Sequence, residues 1–202
     1  MQRPFCLLDQ YSANFAPVHN AHRSPDMSLS NFKTARLTVS HWRTSLSDPR
    51  ELSNLEHRLQ SLLTETVLRH LPEPLHRGHG KDWITDWIKE RDAEADVALI
   101  RSRDNGDLVG LLILAEFEDQ DGRTIHIGYL FGEPHWGKGH ASELIGGLVL
   151  AAQAESPLTL VGGVEVKNIA SAKVLTKSGF VPTAEADGTT TYSLRLSSGD
   201  SS

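Results

Sequence analysis

Two periods of apolar recurrence succeed one another along this chain, and their order predicts most of its elements. Residues 35–42 alternate in places and read as a first strand. The period then lengthens: Leu52, Leu55, Leu59, Leu62, Leu63 and Leu71 form a helical stripe. Asp48 and Pro49 open that helix, and Pro72 and Pro74 are expected to end it. Beyond a loop rich in Gly and His, Trp83, Ile84, Trp87 and Ile88 share one face of a second helix. Residues 96–102 and 108–117 read as strands joined at Asp104-Asn105-Gly106-Asp107, an Asn-Gly hairpin signal.

A fourth strand follows Asp121-Gly122 and includes Ile125-His126-Ile127-Gly128-Tyr129-Leu130-Phe131. Ala141, Leu144, Ile145, Leu148, Val149 and Ala152 then return to helical spacing. Residues 158–167 read as a fifth strand, a helix begins near Asn168, and two strands close the pattern around Val181 and residues 190–196. The resulting order is β-α-α-β-β-β-α-β-α-β-β. No internal repeat or linker interrupts it, so the 202 residues are expected to hold one domain, at 31–196. Residues 1–30 read as a disordered extension and 197–202 as a disordered tail.

Composition narrows the function classes without choosing one. Hydrophobic content of 39% with 23% charged residues is that of a soluble globular chain, and no apolar run reaches a membrane span. A net charge of −6 argues against general nucleic-acid binding and suits a cationic partner. The lone Cys6 can form no internal disulfide, and without a secretory signal the expected location is cytoplasmic. His70, His76 and His79 cluster around Leu71-Pro72-Glu73-Pro74, but their spacing fits no metal motif and no metal is expected.

The chemistry concentrates where the fourth strand meets the third helix, at Trp136-Gly137-Lys138-Gly139-His140-Ala141. The first amides of a helix lack carbonyl partners and, with the helix dipole, hold anions. Gly137 and Gly139 carry no Cβ to keep a phosphate away. A Walker A reading fails because Gly139 stands where Ser or Thr must bind Mg²⁺, and Pro134 removes an amide. A dinucleotide fingerprint would need glycine or alanine at Ser142 and a carboxylate ending a second strand about 20 residues on.

The loop resembles instead the R/Q-x-x-G-x-G/A motif of the GNAT acyl-CoA-dependent N-acetyltransferases, at Gly139 and Ala141, with Trp136 in place of Arg or Gln. About 30 residues on, the run from Asn168 through Ser171, Leu175, Gly179 and Phe180 is similar to that family's N-x-x-S/A-x-x-x-(Y or L)-x-x-x-G-F helix. Ile127-Gly128-Tyr129 and Ala141-Ser142-Glu143 most resemble its RimJ/RimL-like branch, as does the stretch after Met27, Thr34-Ala35-Arg36-Leu37. The resemblance implies an α/β fold: a mixed, mostly antiparallel sheet flanked by helices, its fourth and fifth strands splayed to hold acyl-CoA.

By the same resemblance the chain is an acetyl-CoA-dependent N-acetyltransferase acting on a primary amine, either a protein or peptide amino terminus or a small molecule, as monomer or homodimer. Acetyl-CoA would be held at Leu130, Phe131, Trp136, Gly137, Lys138, Gly139, His140, Ala141, Asn168 and Ser171. Attack on a thioester needs a deprotonated amine, and His126 is the candidate base, since an imidazole titrates near neutrality. Glu165 is the second candidate. Leu175 replaces the tyrosine that often protonates the thiolate, and Ser171 is its substitute in the RimJ/RimL-like pattern. The alternative is a non-catalytic acyl-CoA-binding sensor or interaction module on the same fold.

Overall fold

A computed structural model describes residues 28–197, apart from 70, 72–75, 77, 79, 120 and 121. Its frame is a sheet of strands β1 (Phe32–Lys33), β2 (Leu37–His41), β3 (Asp96–Ser102), β4 (Leu108–Asp119), β5 (Gly122–Phe131), β6 (Leu158–Glu165), β7 (Val181–Ala186) and β8 (Thr189–Leu196). The order across the sheet is β1-β2-β3-β4-β5-β6-β8-β7. Every neighbouring pair is antiparallel except β5 and β6. The expected fourth and fifth strands are therefore β5 and β6, counted after the extra two-residue β1.

Alternation along these strands builds two cores. Leu112, Leu114, Ile125, Ile127, Leu160 and Val164 face helices α5 (His140–Gln153) and α6 (Ile169–Lys177). Leu111, Ile113, Ala115, Phe117 and Leu130 face the opposite layer of α1 (Arg43–Ser47), α2 (Pro49–Leu62), α3 (Glu65–Leu68) and α4 (Trp83–Glu94). Burial of both faces explains why these strands read as nearly continuous apolar runs.

Helix ends follow their capping residues. The Asp48 side chain accepts from the amides of Arg50 and Glu51, with Pro49 at the first position of α2. One difference from the pattern is that the leucine stripe is two helices rather than one. Leu63 leaves the helical region at φ −87°, ψ 61°, and Thr64 starts α3 by accepting from the Val67 amide at 3.2 Å. Its hydroxyl also donates to Glu133 at 2.7 Å, which ties this layer to the turn after β5. Pro72 and Pro74, expected to stop the stripe, lie outside the described residues.

The domain also begins earlier than expected. Ser28–Ser30 forms a 3-10 turn, and Leu29 is fully buried in the core beside α5, so this end of the proposed 1–30 extension belongs to the domain. Residues 1–27, with Cys6, and 198–202 lie outside the described residues. Among the described residues no helix is long and apolar enough to cross a membrane.

Adjacent glycines in α5 give a paired test of this packing. A Cβ on Gly147 would lie 2.6 Å from Thr34 Cγ2 and 2.8 Å from Phe32 Cε2, whereas one on Gly146 would meet nothing within 4 Å. Thr34 cannot swing away freely, because its hydroxyl donates to Glu143 at 2.6 Å. Gly146→Ala is expected to raise stability by about 0.5–1 kcal/mol through helix propensity. Gly147→Ala is expected to lower it by about 1–3 kcal/mol through overpacking. Urea unfolding of both variants beside the parent checks the opposite signs.

Candidate active site

β5 and β6 pair over only three positions, Thr124 with Thr159, Ile125 with Leu160 and His126 with Val161. Both strands continue past this point on their outer partners: β5 follows β4 to Phe131, and β6 follows β8 to Glu165. The two strands therefore diverge from Ile127 onward, and the expected splay is present.

Peptide alternation decides which groups of β5 face the gap. The Gly132 amide donates to Val109 O on the β4 side, and Leu130 O lies against Gly110 of β4. Ile127, Tyr129 and Phe131 must then turn their amides and carbonyls toward the gap. This moves the expected backbone contact: Leu130 spends its peptide groups on β4 and its side chain on the α2–α4 core, and Tyr129 and Phe131 carry the free edge. Trp136, in the place of the family's Arg or Gln, donates through Nε1 to Phe131 O at 2.6 Å and pins the start of the loop to the end of β5.

Two left-handed glycines shape that loop, Gly137 at φ +69° and Gly139 at φ +79°. Gly139 is the N-cap of α5 and has no side chain to cap it. The first backbone bond of the helix runs from the Glu143 amide to Gly139 O, so the amides of His140, Ala141 and Ser142 have no carbonyl four residues back. Lys138 is exposed, and Ala141 packs at the edge of the core. The His140 ring sits 5.9 Å from that of Phe131 and 5.8 Å from that of His135. Its Nδ1 is buried and makes no hydrogen bond among the described residues. Burial, Arg36 and His135 hold His140 below the usual histidine range.

Arg36 is the residue that sequence reasoning passed over. Its Nε donates to Glu143 Oε2 and its amide to Glu143 Oε1, both at 2.6 Å, while Nη1 donates to Lys138 O at 3.0 Å. Burial pushes the Glu143 carboxyl up, but hydrogen bonds from the Thr34 hydroxyl and from Arg36 outweigh it and leave it below the ordinary range. A guanidinium, 107 residues away in sequence, is thus fixed on the anion-binding turn. Its only sequence signal was membership of the Thr34-Ala35-Arg36-Leu37 run.

On α6 the reading of the sequence corresponds to local structure. Asn168 caps the helix by accepting from the Ser171 amide at 3.1 Å, and Gly179 takes φ +91° after its end. Leu175 is 1% exposed: a Cβ on Gly162 of β6 would meet Leu175 Cδ1 at 3.1 Å and Ile127 Cγ1 at 3.4 Å. Leu175 is thus wedged between the two diverging strands. The Tyr129 hydroxyl is buried and makes no hydrogen bond among the described residues. Burial raises its pKa, and the Ser171 side chain nearby offsets part of that rise.

The candidate bases do not meet. His126, Val161 and Glu165 share the sheet face opposite α5 and α6, but Glu165 lies four residues beyond Val161, roughly 13 Å along the strand. His126 is 7% exposed, with its ring edge-on to Phe117 at 5.0 Å, and burial depresses its pKa to about 4. The expectation that it titrates near neutrality is therefore corrected, because an imidazolium in this apolar pocket would lose its hydration. Glu165 is half-buried. Glu116 is bound to Arg123 at 2.6 Å, which also holds Glu155 at 2.7 Å. His70 and His79 lie outside the described residues, and His76 bonds the Leu71 carbonyl at 2.7 Å.

Several solved structures share this architecture. RimL, a ribosomal L7/L12 α-N-protein acetyltransferase solved with coenzyme A, is 17% identical, the match covering 82% of this chain and 97% of that one at a TM-score of 0.61. The ribosomal-protein-S5-alanine acetyltransferase from Vibrio fischeri is 16% identical, with 81% and 95% covered and a TM-score of 0.59. MccE, the microcin C7 self-immunity acetyltransferase in complex with acetyl-CoA and AMP, is 19% identical, with 85% and 100% covered and a TM-score of 0.58. At such identities the likeness speaks to fold alone. No curated protein sequence matches the chain. The acetyltransferase (GNAT) domain model matches residues 36–181, from the arginine on the glycine turn to the strand after α6, and the chain belongs to that family.

Proposed function

We propose that this protein is an acetyl-CoA-dependent N-acetyltransferase of the RimJ/RimL-like kind, moving the acetyl group directly to a primary amine. The observation that carries this reading is the continuity of two unsatisfied surfaces: the open edge of β5 past Ile127 leads into the uncapped amides of α5. A pantetheine arm has amides and carbonyls to pair with the peptide groups of Tyr129 and the Phe131 amide, and a pyrophosphate suits the α5 amides at their positive dipole end. Neighbours solved with coenzyme A or acetyl-CoA support this ligand class.

His126 acts here as a neutral acceptor rather than a strong base. An attacking amine grows acidic as its bond to the carbonyl carbon forms, so a weakly basic imidazole suffices to take the proton. Its position at the last β5–β6 pair places it where the gap closes. Glu165, on the same face further along, supplies negative charge for a cationic acceptor. The Gly137-to-Ala141 loop holds phosphate, Asn168 and Ser171 border the arm, and Arg36 fixes the loop through Lys138 O and Glu143.

Thiol release from acetyl-CoA, measured against pooled small amines and peptides with varied amino-terminal residues, should exceed the acceptor-free rate. Acetyl-CoA binding without release for any acceptor would favour a non-catalytic sensor. His126→Gln is expected to lower kcat by about 100-fold while calorimetry shows unchanged acetyl-CoA affinity. Arg36→Ala is expected to weaken acetyl-CoA binding by about 10-fold while kcat at saturation changes little, because it loosens the turn and not the reacting end.

The same histidine leaves a signature in stability. In the unfolded chain it takes a proton near the ordinary 6.5, and in the fold only near 4, so between these values the unfolded chain binds the extra proton. Stability should fall as pH drops through that window, by about 3 kcal/mol, and should not depend on this group above it. The difference in unfolding free energy between the parent and His126→Leu, followed from pH 7 to 4, isolates this contribution.

A further inference from the structure

Leu175 removes the side-chain donor that its helix would otherwise offer a departing thiolate, yet a hydroxyl stands one step further along the same gap. Leu175 packs with Ile127 over Gly162. One helical turn earlier on α6 is Ser171, and two residues later on β5 is Tyr129. A turn of α6 advances about 6 Å and two strand residues about 6.6 Å, so the pairs Leu175–Ile127 and Ser171–Tyr129 stack in register. The first pair is apolar and closes the narrow end of the splay, and the second is a pair of hydroxyls at its opening.

The Tyr129 hydroxyl is the unusual member. It is buried, it has no hydrogen-bond partner among the described residues beyond the nearby Ser171 side chain, and its residue is one whose amide and carbonyl face the gap. Buried hydroxyls rarely go unpaired, and one that does so beside an open ligand edge is set for a group on the ligand. Phe131 O, the next carbonyl along that edge, already accepts from Trp136, so Tyr129 carries the first free polar groups past the apolar pair on this face.

We propose that the Tyr129 hydroxyl, flanked by Ser171, donates the hydrogen bond that receives the departing sulfur of coenzyme A, so that a residue of β5 does the work that α6 has given up at Leu175. This rests on the acetyl-CoA reading above. In the step, the amine nitrogen bonds to the thioester carbon, the carbon–sulfur bond breaks with its electron pair going to sulfur, and the amine proton passes to His126. Tyr129 keeps its own proton throughout, as burial favours. The thiolate takes a proton from water as the product leaves.

Tyr129→Phe removes only the oxygen and keeps the ring packed beside the core. Its kcat should fall at least about 10-fold with acetyl-CoA affinity within twofold. A second readout needs no acceptor: the thiol of bound coenzyme A, titrated by thiolate absorbance, should have an acid constant at least about 10-fold smaller in Tyr129→Phe than in the parent. Unchanged kcat and unchanged thiol titration would overturn the proposal, and so would a loss confined to affinity, which would make the hydroxyl a holder of the arm. If the parent itself binds no coenzyme A, the acetyl-CoA reading falls first, and this inference with it.

Discussion

The divergence of β5 from β6 after a single short ladder is the constraint on which the rest of the site depends. Backbone amides and carbonyls inside a sheet demand partners. Three pairs hold the strands together at Thr124 to His126, and after that each strand ladders only with its outer neighbour. A sheet that closed fully would have no room for a ligand edge, and one that opened earlier would expose the core at Ile125 and Leu160. Leu175 maintains the compromise by filling the crotch over Gly162, where a Cβ on β6 would lie 3.1 Å from Leu175 Cδ1.

Much of this was legible because it is local. The Asp48 and Asn168 caps, the left-handed Gly179 and the alternation of β3 to β6 are consequences of neighbouring residues. Such features survive in a one-dimensional reading because their physics acts over three or four positions. The glycine turn was found for the same reason. Even the mistaken single helix from Leu52 to Leu71 fails locally, at Thr64, whose hydroxyl offers the backbone an alternative to helix.

What the sequence hid is long-range or environmental. Arg36 and Thr34 meet Glu143 only because β1, β2 and α5 pack together, and no spacing rule spans 107 residues. Which peptide groups of β5 face the gap depends on register with β4, so Leu130 and Tyr129 cannot be told apart from composition. His126 was found as a residue but misjudged as a titrating group, because its pKa is set by Phe117 and the α2–α4 layer rather than by anything near it in the chain.

That displacement of His126 bears on how proton transfer can be arranged here. An imidazole held near pKa 4 is almost wholly unprotonated at neutral pH, so it is always ready to accept but never holds a proton for long. On the other side of the sheet, burial moves Tyr129 the opposite way and keeps its hydroxyl protonated. One desolvated strand thus separates an acceptor, facing α2–α4, from a donor, facing α5–α6, three residues apart on β5. Alternation of side chains, rather than a charged dyad, is what keeps them from neutralising one another. In the proposed reaction the acceptor's face is the amine's and the donor's is the sulfur's, so both ends of the transfer are polarised by the same apolar burial that stabilises the sheet.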